Sequence, residues 1–363
     1  MHHWIAQPEA AATLLARHPD TRVIGLDTEF MRIDTFYPRL ALVQVNLAGE
    51  IALLDPLALG GLAALAPRLA DAATICVMHS ASEDLEALAV AVPQGLGQLF
   101  DTQIAAAITG LGAGLSYQKL VAALTGVDLP KAETRSDWLR RPLSAEQLDY
   151  AAQDVVHLAA LHQQLDARLA ELGRRDWHAE DCQRLLAKAR SRDGDPQPQR
   201  GFKSAAEWPR QKQALLRRVL LWREEAARRI DKPRPWLLDD AHIAEFVLNP
   251  PHGSDELFAR AKGLRALRGA QRDELLQVLQ DPLQEEEMEF APIFPLPTPA
   301  QKRVIGAMKE SVVAIATQLN VPEGLLCARR HLEALVFDRE WPEALEGWRK
   351  GILFEALMGK VEG

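Results

Sequence analysis

Two acidic residues end an apolar segment near the start of the chain. Asp27 and Glu29 follow residues 23–26, which have the composition of a buried strand, although acids are disfavoured in strands. Side chains two positions apart on a strand share a face, with Cβ atoms roughly 6–7 Å apart. Two carboxylates at that spacing can chelate one cation, and one of them can bridge to a second. The alternative is a strand end that turns into solvent.

A third acid, Asp84, lies near the start of a predicted helix. Ser80 and Glu83 have the spacing of a capping box, which predicts a helix start directly after a strand at 74–78. A carboxylate in the first helical turn is favoured by the helix dipole, and this alone would explain an isolated Asp84. If that strand pairs near the strand that carries Asp27, however, both acids lie at the same end of the sheet.

Tyr150 and Asp154 form the third element. They are four residues apart in a helix predicted from Ser144 to about Leu172, which starts with a second capping box. At this spacing they project from one helix face. Their neighbours are small or apolar, which indicates a packed helix, and a buried aspartate needs a partner or a cation. Taken alone, Tyr150 is also explained by core packing.

Together these residues indicate a specific chemistry. Four carboxylates that converge without cations repel one another and become protonated. With two divalent cations about 3.5–4 Å apart, Mg²⁺ or Mn²⁺, they form a site suited to in-line displacement at phosphorus. In such a site one cation activates water and the other stabilises the leaving oxygen. The residues therefore predict a metal-dependent enzyme that acts at phosphorus.

The same segments resemble the three motifs of the DEDDy 3′→5′ exonucleases. The matching motifs are Asp27-Thr28-Glu29-Phe30, His79-Ser80-Ala81-Ser82-Glu83-Asp84-Leu85 and Tyr150-Ala151-Ala152-Gln153-Asp154. Two further segments, 100–103 and 135–143, point to the ribonuclease D family rather than to the proofreading domains of polymerases. The helical segments after residue 209 resemble HRDC modules, which are helical nucleic-acid-binding domains. The resemblance is strong over 20–160, fair over 209–283 and weak after 300.

The resemblance implies a role for each residue of the motifs. The implied metal ligands are Asp27, Glu29, Asp84 and Asp154. Tyr150 would orient the attacking water. The implied activity is that of a 3′→5′ exoribonuclease that releases 5′-mononucleotides, and the implied substrates are tRNA precursors with 3′ extensions and other structured RNAs.

The predicted architecture is an α/β domain followed by helical domains. Strands predicted at 23–30, 40–45, 51–54 and 74–78, followed by strand–helix alternation, favour a mixed sheet flanked by helices. This agrees with the ribonuclease H-like fold that the resemblance implies. The predicted order is an exonuclease domain at 1–190, a linker at 191–208, an HRDC-type domain at 209–283, an acidic, proline-rich linker at 284–300 and a divergent HRDC-like domain at 301–363.

Charge along the chain gives a mixed indication about RNA. The net charge of −8 argues mildly against a nucleic-acid partner, but nine basic and three acidic residues lie between Arg210 and Arg234, opposed by an acidic segment at 285–289. The basic run is either an RNA contact or a solvated helix face. The candidate RNA contacts are Phe30, His79, Gln103, Lys119, Arg217 and Arg228.

Several classes of protein are disfavoured. The sequence begins with a helical pattern and has no basic segment followed by an apolar core, so we expect a cytoplasmic protein. No apolar stretch approaches the length of a membrane span, and three scattered cysteines argue against a disulfide framework or a zinc cluster. No obligate protein partner is evident. The alternatives left open are a 3′→5′ DNA exonuclease with a repair role and a nucleic-acid-binding adapter without catalysis.

Overall fold

The computed structural model describes residues 2–130, 136–191 and 194–361. By contacts between residues, the chain divides into two compact units that do not follow chain order. Unit 1 comprises Met1–Met31, Arg39–Arg190 and Pro299–Gly363, and unit 2 comprises Arg32–Pro38 and Ser191–Thr298. The loop that follows the first acidic motif therefore belongs to the second unit, and the last segment belongs to the first.

A six-stranded mixed sheet forms the centre of unit 1. Its strands are β1 His2–Ile5, β2 Val23–Met31, β3 Arg39–Leu47, β4 Glu50–Leu54, β5 Ile75–Met78 and β6 Gln98–Asp101. The spatial order is β1-β4-β3-β2-β5-β6. Strands β2, β3 and β4 pair antiparallel, while β1 on β4, β5 on β2 and β6 on β5 pair parallel. The predicted meander is confirmed, whereas β1 and β6 were not predicted from the sequence.

Helices cover both faces of this sheet. They are α1 Pro8–Arg17, α2 Pro56–Leu59, α3 Ala66–Ala70, α4 Ser82–Leu88, α5 Thr102–Ile108, α6 Tyr117–Thr125, α7 Ala145–Val156, α8 Leu158–Glu171 and α9 Arg175–Arg190. One apolar core includes α1, α3, α4 and α9. The other includes α5, α6, α7 and α8. The helix predicted from Ser144 to Leu172 is thus two helices, interrupted at His157.

Unit 2 is a small helical body. Its helices are α10 Arg210–Arg229, α11 Arg234–Leu237, α12 Asp240–Leu248, α13 Ser254–Arg260 and α14 Ala270–Gln280. Short 3₁₀ helices lie at Pro198–Gly201, Lys203–Ala205 and Glu286–Met288. Its apolar core also contains Phe36, from the loop after β2. Asp231 fixes that loop, because its carboxylate accepts the N–H groups of Phe36 and Tyr37 at 2.9 and 3.0 Å.

The last segment adds four helices to unit 1. They are α15 Pro299–Leu319, α16 Glu323–Leu326, α17 Arg329–Asp338 and α18 Trp348–Val361, with a 3₁₀ helix at Glu343–Leu345. The segment has its own apolar core and is joined to α9. The Arg349 guanidinium contacts both oxygens of Asp181 at 2.6 and 2.8 Å. The rings of Trp177 and Trp348 stack with centroids 4.4 Å apart.

Among the described helices, none is long and apolar enough to cross a bilayer.

Candidate active site

Strand β2 brings Asp27 and Glu29 to one face of the sheet. The residues that alternate with them, Ile24 and Leu26, enter the core formed with α1, α3, α4 and α9, so the two carboxylates face the opposite side, where α7 packs on β2, β3 and β4. The pairing with β3 is irregular directly after Glu29. Such a bulge bends a strand and re-aims its side chains. The predicted placement of Asp27 and Glu29 on one face of the sheet follows from the position of β2 in the sheet.

The segment after β5 positions Asp84 by a means that differs from the predicted capping box. The predicted helix start at Ser80 is wrong, because α4 begins at Ser82 and Ser80 has φ of +60°. The buried Asp101 instead accepts the N–H groups of Ser80 and Ala81 at 3.3 and 2.9 Å. At the other end of this connection, the Thr28 hydroxyl donates a hydrogen bond to Asp84. Asp84 is thereby held beside the strand that carries Asp27.

Helix α7 positions Tyr150 and Asp154. The capping box at its start is confirmed, since Ser144 and Gln147 exchange hydrogen bonds. At its other end, the Asn46 amide donates to the Val155 carbonyl at 3.0 Å. The Tyr117 hydroxyl donates to the Gln153 carbonyl at 3.1 Å, beside Asp154. Neither Asn46 nor Tyr117 was singled out in the sequence, because only the folded chain brings them to α7.

The segment 135–143 precedes α7, and contacts of Arg141 and Trp138 hold it in place. Arg135 lies outside the described residues. Arg141 binds both oxygens of Asp55 at 2.8 Å and donates to the Ala41 carbonyl at 2.7 Å. A bidentate pair of this kind fixes direction as well as distance. Trp138 is buried and lies 6.2 Å from the Tyr150 ring, centroid to centroid. The motif thus supports the ring of the tyrosine.

The Tyr150 hydroxyl is hydrogen-bonded to Asp154. Burial, followed by the charges of Asp154, Glu29 and Asp27, raises the pKa of Tyr150 well above its ordinary value of 10. The phenol therefore stays protonated at neutral pH and acts as a hydrogen-bond donor. A group with so high a pKa is a poor general base at neutral pH, since an efficient base has a pKa near the working pH.

Burial and neighbouring carboxylates raise the pKa values of all four carboxyls. Burial is the largest cause for each of them. It acts together with neighbouring carboxylates to raise the pKa of Glu29 to about 8 and that of Asp154 to about 7. The pKa of Asp84 rises to about 6 although Thr28 donates to it. The pKa of Asp27 rises well above its ordinary value, through burial and then Asp84, Asp154 and Glu29.

These residues fit divalent cations by their chemistry. They offer only carboxylate oxygens, the ligands that Mg²⁺ and Mn²⁺ prefer, and the crowding of like charge would be relieved by positive charge. In the described ranges, no three His, Cys, Asp or Glu side chains are already placed to hold one ion together. Asp84 and Asp154 instead accept bonds from Thr28 and Tyr150, but a carboxylate that accepts one bond keeps lone pairs for a cation.

The candidate RNA contacts around this site differ in their availability. Both ring nitrogens of His79 are engaged, with the Thr102 hydroxyl at 2.9 Å and the Leu115 carbonyl at 3.0 Å. The Gln103 amide donates to the same carbonyl at 3.0 Å. Lys119 is exposed at the start of α6, and Phe30 is partly buried at the bulge of β2. The contacts of His79 and Gln103 explain both residues structurally, without RNA.

The basic run on and after α10 is committed to contacts within unit 2. Carbonyl oxygens or carboxylates accept from each of its nine cations, and the acidic 3₁₀ segment contributes Glu287, which pairs with Arg218. The Arg217 guanidinium donates to the Pro196 carbonyl at 2.9 Å, and Arg228 pairs with Glu224 at 2.8 Å. The other contacts are those of Arg210, Lys212, Arg223, Arg229, Lys232 and Arg234. The run is therefore not a simple solvated face.

A second basic segment of unit 2 was missed in the sequence. Residues 257–272 contain five cations and no acid. The side chains of Lys262 and Arg268 are exposed and have no hydrogen bond or ion pair in the part of the chain that the structure describes. Arg272 lies 4.9 Å from the ring centroid of Phe258, which is 63% exposed. Absence of acid over 16 residues was the available signal, and it identifies a more open basic surface than α10.

Comparison with known proteins assigns the family. A family described as 3′-5′ exonuclease matches residues 2–170. Ribonuclease D of Xanthomonas oryzae pv. oryzae is 43% identical over 100% of this chain and 99% of its own length. Ribonuclease D of Pseudomonas paraeruginosa is 35% identical over 99% and 97%.

A solved structure agrees over the whole chain. The crystal structure of Escherichia coli RNase D, described as an exoribonuclease involved in structured RNA processing, superposes with a TM-score of 0.85. The two sequences are 26% identical, and the match covers 100% of this chain and 99% of the other. The mixed sheet, its flanking helices and the helical remainder are thus those of a known exoribonuclease. The chain belongs to the ribonuclease D family of 3′→5′ exoribonucleases.

Proposed function

We propose that this enzyme shortens RNA by one nucleotide at a time from the 3′ end and releases 5′-mononucleotides. The observation that carries the proposal is the convergence of Asp27, Glu29, Asp84 and Asp154 with Tyr150, because their raised pKa values indicate a site built for positive charge. Two divalent cations, Mg²⁺ or Mn²⁺, would be held by these four carboxylates. When bound, they would offset the charge of the phosphate and acidify the attacking water.

The residues of the chain then have separate tasks in hydrolysis. Water adds to the phosphorus of the last phosphodiester, and the bond to the 3′ oxygen of the penultimate nucleotide breaks. That oxygen leaves with a proton, and the phosphate stays on the released nucleotide. Tyr150 keeps its proton and orients the nucleophile by a hydrogen bond, in line with the leaving oxygen. Trp138 and the capped helix α7 keep the phenol in place.

The proposed substrates are tRNA precursors with 3′ extensions and other structured RNAs, in the cytoplasm. The support is the family assignment and the segment 257–272 of unit 2, whose exposed Phe258, Lys262 and Arg268 are available for bases and phosphates. We assign RNA contact to this segment in preference to Arg217 and Arg228. Their predicted contact with RNA stays a prediction, as do the HRDC assignment and the domain boundaries.

A degradation assay tests the proposal. An RNA labelled at its 5′ end should give a ladder that shortens by single nucleotides in Mg²⁺, and EDTA should stop it. A 3′-phosphate should block the reaction, and the released product should migrate as a 5′-mononucleotide. A matched DNA oligonucleotide distinguishes the alternative activity. Immediate internal fragments, full activity in EDTA or faster hydrolysis of the DNA would each contradict the proposal.

A further inference from the structure

Gln44 is a buried polar residue without a hydrogen-bond partner. It lies in the middle of β3 and is 0% exposed. Neither its amide nitrogen nor its amide oxygen is hydrogen-bonded. Buried side-chain polar groups are nearly always paired, so an unpaired primary amide in the sheet needs an explanation. A Leu or Met of similar volume would fill the same space without unpaired polar groups.

The register of the sheet places Gln44 directly beside the active site. It pairs with Asp27 of β2 on one side and with Leu53 of β4 on the other. Cross-strand partners have side chains on the same face, with Cβ atoms about 4.5–5.5 Å apart. Of these two partners only Asp27 has a polar side chain. Helix α7, which carries Asp154, packs over the same strands.

The next polar residue on this face of β3 has other partners. The Asn46 amide donates to the carbonyls of Val155 and Val156, and its oxygen accepts the Gly49 N–H at 2.9 Å. Two residues along the same strand therefore differ: Asn46 holds the end of α7, while the donor and acceptor of Gln44 are unused. Asp27 is the acceptor next to that unused donor.

We propose that Gln44 is a positioning residue for a metal ligand: in the loaded enzyme its amide NH₂ donates to one carboxylate oxygen of Asp27 and turns the other toward the cation. The inference rests on the proposed function, since it needs a cation at Asp27. Carboxylates that ligate metals are commonly oriented by a hydrogen bond from behind, and loss of such a bond typically weakens metal binding by about 10–100-fold.

Gln44→Met tests this in the full chain. The side chain keeps its length and loses its donor. We expect the Mg²⁺ dissociation constant, from calorimetry, to rise by about tenfold, while the melting temperature without metal stays the same or rises. The value of kcat should fall at low Mg²⁺ and recover at high Mg²⁺. Should Gln44→Met not fold, Gln44→Leu repeats the measurement.

Thr74→Val is the matched control. Thr74 is also 0% exposed with an unpaired hydroxyl, but it precedes β5 at the end of the sheet away from the carboxylates. Its replacement should leave Mg²⁺ binding unchanged. Wild-type Mg²⁺ affinity in Gln44→Met would overturn the role of Gln44 and leave the proposed function intact. Failure of the wild type to bind Mg²⁺ would overturn both.

Discussion

The carboxylate site of unit 1 and the basic helix α10 of unit 2 begin from the same sequence signal, a concentration of one sign of charge, and differ in what surrounds that charge. At the site, the charges that raise the pKa values of Asp27, Glu29 and Asp154 are those of other carboxylates. In unit 2, acceptors such as Glu224 and Glu287 meet the cations. Charge that the fold leaves uncompensated indicates a missing ligand, whereas compensated charge indicates a structural role.

The largest effect should come from removing one charge of the site. Asp154→Asn should lower kcat by about 10³-fold or more, because several kcal/mol of transition-state stabilisation by metal are lost. The same change should not lower the melting temperature of the metal-free protein, since it relieves repulsion. Single-turnover hydrolysis and thermal unfolding in EDTA measure the two effects.

Asp149→Asn is the control for that variant. Asp149 lies on the same helix, and its side chain is 76% exposed. Its replacement should leave both activity and stability unchanged. If Asp154→Asn unfolds well below Asp149→Asn in EDTA, Asp154 has a structural role and the contrast between the two regions disappears.

The next effect concerns the phenol. Tyr150→Phe keeps the ring against Trp138 and removes the hydrogen bond to Asp154. We expect kcat to fall by about 10²-fold, as for other groups that position a proton or nucleophile. Mg²⁺ affinity, RNA affinity and melting temperature should remain near wild type. If the variant has the kcat of the wild type, Tyr150 serves only in packing.

The pH dependence of the metal-free protein follows from the raised pKa values. Glu29 and Asp154 titrate at about 8 and about 7 when folded, above their ordinary values of 4.5 and 3.8. Between those values the folded protein binds more protons than the unfolded chain. Binding of these extra protons stabilises the folded protein. The contribution to the free energy of unfolding is complete below the pKa values that the two carboxyls have in the unfolded chain, and it is lost as pH rises through their pKa values in the folded protein.

The melting temperature in EDTA should therefore fall from about pH 5 to about pH 9. Mg²⁺ should reduce the fall, because it stabilises the ionised carboxylates. Asp154→Asn should flatten part of the profile. A melting temperature that rises over this range in EDTA would show that the four carboxyls are compensated after all.

In the basic helix, removal of a cation should affect stability instead of chemistry. The side chain of Arg218 is 14% exposed and pairs with Glu287, so Arg218→Ala leaves a partly buried carboxylate without its partner. We expect the free energy of unfolding to fall by about 2 kcal/mol. Hydrolysis of a short single strand should be unchanged. Chemical denaturation and the degradation assay together measure this, and normal stability with weak RNA binding would contradict it.

The exposed basic segment should show the reverse pattern with the smallest effect. Lys262→Ala with Arg268→Ala should leave stability unchanged and weaken RNA binding. The slope of log affinity against log salt should fall by about 0.7 for each phosphate of a single strand that the variant no longer binds. Arg217→Ala is the comparison within unit 2. If Arg217→Ala changes the slope more than the double variant does, α10 contacts RNA and the segment 257–272 does not.

Sequence periodicity and local motifs predicted the centre of the fold well. Strands β2, β3 and β4 contain apolar runs separated by turn residues, and the Ser144 box is satisfied within four residues. The box at Ser80 fails because Asp101, from the next strand of the sheet, accepts the Ser80 N–H that Glu83 would have bound. Strand β1 has too few residues to show a period, and it forms only because β4 offers an edge.

The sequence predicted which residues form the site, but it did not predict the residues that hold them in place. Asp27, Glu29, Asp84, Tyr150 and Asp154 carry recognisable spacings, although their catalytic roles stay a prediction. Residues such as Gln44 and Tyr117 have no local signal, because their importance lies in a partner far along the chain. The contacts of the basic run have no local signal either, since some of its acceptors lie far along the chain, such as the Asp34 carbonyl that accepts from Lys232.

The loop Arg32–Pro38 has a consequence for the order in which the protein is made. It leaves the ribosome directly after β2, yet its Phe36 packs into a core whose other residues begin at Ala205. Asp181 likewise meets Arg349 only when the last helix has been synthesised. Neither unit can therefore be completed during the first half of translation. A chain cut near residue 195 would lose the surroundings of Phe36 and the partner of Asp181.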